Sequence, residues 1–190
     1  TDGKPIILPQ FQPLGDVDEE EMTLMLYRVE TKDIENDLPP AISKLRRQIL
    51  LSRAIMARPD YGQGPDHAMA LASALGRLMD KIYTQGLDLA DLPSIVDGDF
   101  AAHWEITIEF LTILSVQWPS ILEQLGMIDE ADRRNRLINA LTGYWRDNPP
   151  DQHIIAAGST GSIPATAGLL KVIASLLSLI HISEPTRLRS

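Results

Sequence analysis

The stretch His153-Ile-Ile-Ala-Ala-Gly-Ser-Thr-Gly-Ser-Ile-Pro-Ala-Thr-Ala-Gly-Leu-Leu170 decides how the chain is read. A short apolar run, a Gly/Ser/Thr loop and a proline-led apolar segment follow one another within it. That order predicts a buried strand turning into a helix, the place where α/β domains often hold phosphates on the first helical amides. The loop from Gly158 to Ser162 lacks the chemistry such a site needs. A Walker A loop has a lysine directly after its last glycine. No lysine follows Gly161, and Lys171 lies about two to three turns into the expected helix. A Walker B strand ends in an aspartate that holds Mg²⁺, whereas this one ends in Ala156, Ala157 and Gly158. With those functions missing, the segment reads as a tight strand-to-helix turn, Ser162 its N-cap and Pro164 in the first helical turn.

Upstream the pattern is helical. From Ala41, Ile42, Leu45, Ile49, Ile55 and Met56 fall on one face, with Arg46, Arg47, Arg53 and Arg58 mostly elsewhere. Pro59-Asp60-Tyr61-Gly62 ends that helix. A second is expected from about Asp66 to Gln85, with Leu71, Leu75, Leu78, Met79 and Ile82 inward and Gly86 as its C-terminal stop. A short helical turn from Asp88 to Ile95 follows. A third long helix carries Trp104, Ile108, Leu111, Leu114 and Trp118, and Pro119 must kink it or start a new one. Leu122 and Leu125 resume the register before Gly126. The last helix is expected to be capped by Asp129, repeats through Leu137, Leu141 and Tyr144-Trp145, and stops at Asn148-Pro149-Pro150. The tryptophans read as core anchors.

Before this block, Ile6-Ile7-Leu8 reads as a strand, and the acids Asp16, Asp18, Glu19, Glu20 and Glu21 precede the apolar run Met22 to Leu26. Carboxylates in and before a first helical turn favour the helix dipole without any catalytic role. The fold class expected is therefore α/β but mostly helical, a helical block inserted into an α/β sheet.

Composition narrows the function. The 190 residues are 44% hydrophobic and 23% charged, ordinary for a globular chain. There is no cysteine, so neither a disulfide framework nor a thiolate metal site is available, and with no basic n-region or apolar h-region near Thr1 no signal peptide is expected. His67, His103, His153 and His181 show no metal-ligand spacing. A net charge of −9 argues against a stand-alone binder of DNA phosphates. Local arginines could still touch a phosphate backbone: Arg46 and Arg47 in one pair, Arg133, Arg134 and Arg136 in another cluster. The apolar run from Leu169 to Ile182 is too short to span a membrane and contains Lys171. The tail Leu177-Ser-Leu-Ile-His-Ile-Ser-Glu-Pro-Thr-Arg187 resembles the translation of a transposase-type sequencing adapter. Residues 177–190 are therefore expected to be non-native.

Three segments resemble the AddB family in its alphaproteobacterial-type branch. They are Leu8-Pro-Gln-Phe-Gln-Pro-Leu-Gly-Asp-Val-Asp-Glu19, Leu38-Pro-Pro-Ala-Ile-Ser-Lys-Leu-Arg-Arg47 and Ala157-Gly-Ser-Thr-Gly-Ser-Ile-Pro-Ala-Thr-Ala167. The stretches around His103-Trp104 and Asp132 to Leu137 fit as well, so the resemblance runs from Lys4 to Leu176. It implies a fragment of a superfamily 1 helicase-like, P-loop NTPase-like lobe with an inserted helical subdomain. Residues 1–37 would be part of the lobe, 38–150 the insert and 151–176 the returning strand and helix. The implied function is a non-catalytic, DNA-contacting part of an ATP-dependent helicase–nuclease that processes double-strand breaks for recombinational repair in the cytoplasm. Its partners would be an AddA-type subunit and double-stranded DNA ends, with no membrane. ATP and Mg²⁺ would serve the parent complex and no cofactor this fragment. Ala157 and Gly158 would be a degenerate Walker-B-like position, and no catalytic residue carries over. Two other readings remain open, a small nucleotide- or phosphate-binding enzyme using Gly158 to Ser162, and a helical protein-interaction module.

Overall fold

A computed structural model describes residues 38–58, 63–89, 112–150, 154–157, 161–176 and 179–182. Over these residues the chain is mostly helical, with five α-helices: α1 (Lys44–Met56), α2 (Pro65–Thr84), α3 (Trp118–Leu125), α4 (Glu130–Asp147) and α5 (Pro164–Ser175). Two short strands, β1 (Ile154–Ala157) and β2 (Leu179–Ile182), pair in parallel across α5, with Ile154 opposite Leu179. A parallel pair needs such a crossover connection, so β1, α5 and β2 make one β-α-β unit. Strand β2 lies within residues 177–190, the stretch expected from sequence to be non-native. The expected strand at Ile6 and the acidic run at Asp16 to Glu21 lie outside the described residues, as do Trp104, Ile108, Leu111 and most of the turn expected after Asp88.

Helix ends follow local chemistry closely. Ser43 caps α1, its hydroxyl accepting from the Arg46 amide at 3.4 Å. Helix α2 ends in a Schellman pattern: Gly86 N–H donates to the Tyr83 carbonyl, Leu87 N–H to the Ile82 carbonyl, and Gly86 takes φ 69°. Gly126 closes α3 the same way with φ 62°. Pro119 has the effect its chemistry requires. A π-helical turn, Ile113–Gln117, precedes α3, and the Trp118 amide donates to Ile113, five residues back. The widened turn lets the backbone pass a residue that has no N–H to give.

The orientation of α1 differs from expectation. Leu45, Ile49 and Met56 are 65%, 42% and 39% exposed, while Arg47, Leu51, Ser52 and Ile55 are buried. Helix α1 carries two apolar rows, and the one at four-residue steps with Arg47 faces inward because Arg47 finds carboxylates there. Helix α2 keeps most of the expected face, with Met79 and Ile82 buried and Leu71 and Leu75 packed against the same core. Leu78 is exposed, and Ala68, Ala72 and Gly76 make a row of small residues on its buried side, continued by Met79 and Ile82. Small residues at that spacing let α1 approach closely enough for the Arg47 guanidinium to lie over Gly76.

That contact fixes the effect of adding one methyl group. A Cβ on Gly76 would sit 3.3 Å from Arg47 Nη2. Glycine-to-alanine in a helix interior normally gains about 1 kcal/mol. Here the guanidinium is held by carboxylates and cannot yield, so overpacking of about 1–3 kcal/mol should outweigh the gain. Urea denaturation of Gly76→Ala should show a net loss. Gly143→Ala in α4, with nothing within 4 Å of the new atom, should gain up to about 1 kcal/mol. Equal shifts for the two variants would refute this account.

The described residues form two apolar cores. The first gathers Leu51, Ile55, Met79, Ile113, Leu114 and Trp118 from α1, α2, the π turn and α3. The second packs Leu137, Leu141 and Trp145 of α4 against Ala156 of β1 and Leu169, Val172 and Ile173 of α5. Trp118 and Trp145 are thus core anchors as expected.

Candidate functional site

Strand β1 ends at Ala157, and Gly158 to Thr160 lie outside the described residues. The chain re-emerges at Gly161, whose φ of 63° suits glycine, its Cα facing Leu170 and Ala167 of α5. Ser162 is not the N-cap. Ile163 holds that position in extended conformation, and its own side chain makes no capping bond. Pro164 explains the shift, because proline disfavours helical geometry in the residue before it and is itself well placed at the first helical position. Strand β1 and helix α5 thus flank the glycine segment, with no carboxylate among Ile154, Ile155, Ala156 and Ala157. Lys171 is exposed further along α5. These residues do not fit Mg²⁺ or the β- and γ-phosphates of a nucleotide.

The candidate DNA-contacting arginines separate into different roles. Arg46 is exposed and its guanidinium lies 3.4 Å from Met127 Sδ. Arg136 is exposed but paired with Asp132 one turn back at 2.8 Å. The bond to Asp132 raises its pKa above the ordinary arginine value, against the effect of partial burial. Arg134 is half-buried and donates to Thr84 Oγ1 at 3.2 Å. Arg47 and Arg133 are buried, at 8% and 5% exposure, and bond inward, Arg133 through Nε to the Pro39 carbonyl at 3.1 Å. For these two the surface reading is corrected, since neither is placed to meet a phosphate backbone.

Arg47 instead centres a buried ionic cluster. Residues 40–42 run alongside 127–129, Ile42 N–H donating to the Ile128 carbonyl and Ile128 N–H to that of Pro40. This short bridge sets the N-termini of α1 and α4 side by side. Arg47, in the first turns of α1, thereby reaches Asp129, which precedes α4. The guanidinium donates twice to Asp80, Nη1 to Oδ1 at 2.6 Å and Nη2 to Oδ2 at 2.8 Å, and Nη1 also reaches Asp129 Oδ1 at 3.2 Å. Trp118 Nε1 donates to the second Asp129 oxygen at 2.7 Å, and the Tyr83 hydroxyl bonds the same carboxylate. Asp129 is the N-cap by position, but its side chain bonds no helix amide and is wholly buried.

Burial pushes the Asp129 carboxyl above the usual carboxylate range, although the Trp118, Arg47 and Tyr83 contacts pull the other way. Burial also works against the charge on Arg47, but Asp80 and Asp129 outweigh it and hold the pKa above the ordinary value. Burial, then the charge of Asp129, raises the Tyr83 phenol well above its usual pKa. The cluster holds one cation between two carboxylates, and it joins α1, α2, α3 and α4. Its chemistry is structural: Arg47, Trp118 and Asp129 are buried, and only Asp80, whose side chain is 39% exposed, and half-buried Tyr83 reach solvent.

A groove of about 830 Å³ lies beside the cluster, between the C-terminal ends of α2 and α3 and the N-terminal ends of α4 and α5. Asp88, Glu123 and Asp132 line it against Arg136, which Asp132 already holds. This acidic balance suits neither a phosphate backbone nor a nucleotide. Among the described residues no group of three or more His, Asp or Glu side chains could hold a metal ion, and no helix is long and apolar enough to cross a membrane. Comparison with protein-family models, curated proteins and solved structures finds no match to this chain.

Proposed function

We propose that the chain is a non-catalytic, structural and DNA-contacting piece of an AddB-type subunit of an ATP-dependent helicase–nuclease. The reading rests on the sequence resemblance, and one structural observation supports it above others. Strand β1 is followed in sequence by the proline-led helix α5, the order of a nucleotide-site strand and its helix, yet it ends in alanines where an acid would have to hold Mg²⁺. A lobe that keeps this frame without its acids would scaffold and contact DNA while an AddA-type partner drives the motor in the cytoplasm. Arg46 and Arg136 are the exposed members of the proposed phosphate-contacting set, and since Asp132 holds Arg136, Arg46 is then the best placed to meet a backbone.

The test is an ATPase assay on the full-length subunit alone and in complex with its partner. Turnover, unwinding and degradation of double-stranded ends should need the partner. Mg²⁺-dependent hydrolysis by the subunit alone would sink the proposal. Arg46→Ala in the complex should weaken DNA binding uniformly across sequences and lower the salt slope by about 1.

A second reading has one observation in its favour. Ile163, the N-cap of α5, has no polar side chain to cap the helix, and the N-terminus of a helix is a place where backbone amides can hold a phosphate-bearing ligand. Saturable micromolar nucleotide binding by the chain itself would favour that small-enzyme reading over the scaffold.

A further inference from the structure

The exposed row on α1 has a match elsewhere in the same chain. Leu45, Ile49 and Met56 lie four and eleven residues apart, which puts them within about 40° of one another around a helix. Arg46 and Arg53 are exposed on the adjoining surface, and α1 contains no acidic residue. This is an apolar and basic face in a chain whose net charge is −9. The acid excess is concentrated in Asp16, Asp18, Glu19, Glu20 and Glu21, followed directly by Met22, Leu24, Met25 and Leu26. In helical spacing Met22, Met25 and Leu26 fall together, the three-and-four-residue step by which an amphipathic helix seats on an apolar surface.

We propose that the segment Asp16–Leu26 docks on the outer face of α1, its apolar residues over Leu45, Ile49 and Met56 and its carboxylates beside Arg46 and Arg53. The tether allows it. Twelve steps of chain separate Leu26 from Leu38, a reach of up to about 40 Å, while α1 itself is about 20 Å long. A short tether also holds the segment at a high effective concentration, so even a weak contact stays populated. The alternative occupants are a second copy of the chain and a separate protein.

The chain has no cysteine, so a disulfide trap is clean. The full chain carrying Met25→Cys with Ile49→Cys is oxidised at high dilution and the crosslink mapped by mass spectrometry. Met25→Cys with Ala174→Cys, an exposed position on α5, serves as the control. The expected result is a crosslink within one chain, formed well above the control. Adding Arg46→Glu and Arg53→Glu should slow it about tenfold, the combined size of two exposed ion pairs, and reversing Glu19, Glu20 and Glu21 to lysine should restore it. A crosslink found only between chains would assign the face to a second copy and overturn the proposal. A yield no greater than the control, or indifference to the charge reversals, would overturn it as well.

Discussion

Arg47→Met should lower the stability of the fold by about 3–5 kcal/mol, because it strands two carboxylates and one of them has no access to water. Asp80 is partly exposed and can recover hydration. Asp129 cannot: its side chain is fully buried, and only Trp118 and Tyr83 would remain as donors. Methionine approximates the volume of the arginine stem, so the loss reports the missing charge and hydrogen bonds more than a cavity. Urea denaturation at neutral pH measures it. Arg47→Lys should recover little of the loss. The guanidinium gives two parallel bonds to Asp80 and a third to Asp129 from one rigid plane, and an ammonium on a flexible stem cannot match that fork. A lysine variant as stable as the parent would show that only a charge is needed there.

The same cluster marks where the sequence stops being legible. Several helix ends were readable because they depend on neighbours in the chain: Gly86, Gly126, Asn148 and Pro119 each act over a turn or less. The rows Leu137, Leu141 and Trp145 were readable too, since α4 has one strongly apolar side there. Strand β1 and the helix after it followed from an apolar run, glycines and a proline. Helix α1 was not readable in the same way. It carries two apolar rows, and periodicity cannot choose between them. The choice is made by Asp80 and Asp129, which lie 33 and 82 residues away from Arg47, too far for any local pattern to report.

For the site, the same physics misled the reading of charge. Arginine is almost always a surface residue, so Arg47 and Arg133 were naturally grouped with Arg46, Arg134 and Arg136 as possible phosphate contacts. One signal did exist: Arg47, Leu51 and Ile55 stand four residues apart, so the cation sits in an apolar row. A charge in such a row is either an error of register or the end of a buried pair. Asp129 was hidden differently, because its position before a helix accounts for an aspartate on its own.

Asp129 also supplies the most discriminating measurement. Asp129→Ala should cost about 3–5 kcal/mol, leaving Arg47 with Asp80 alone and orphaning the Trp118 and Tyr83 donors. Asp129→Asn keeps one acceptor and should lose about 1–3 kcal/mol. The pH dependence separates the charge of this residue from its hydrogen bonds. Its folded pKa is raised, chiefly by burial, so the folded protein binds the proton more tightly than the unfolded chain. The stability linked to this group is then fully present below the ordinary carboxylate range and lost as pH rises through the folded value. The asparagine variant cannot titrate at this position. The stability gap between parent and Asp129→Asn should therefore be widest at acid pH and narrow as pH rises across that window. Chemical denaturation of both proteins at matched ionic strength gives the gap at each pH. A gap that widened with rising pH would mean that attraction to Arg47 outweighs the burial of the carboxylate, reversing the balance drawn from this geometry.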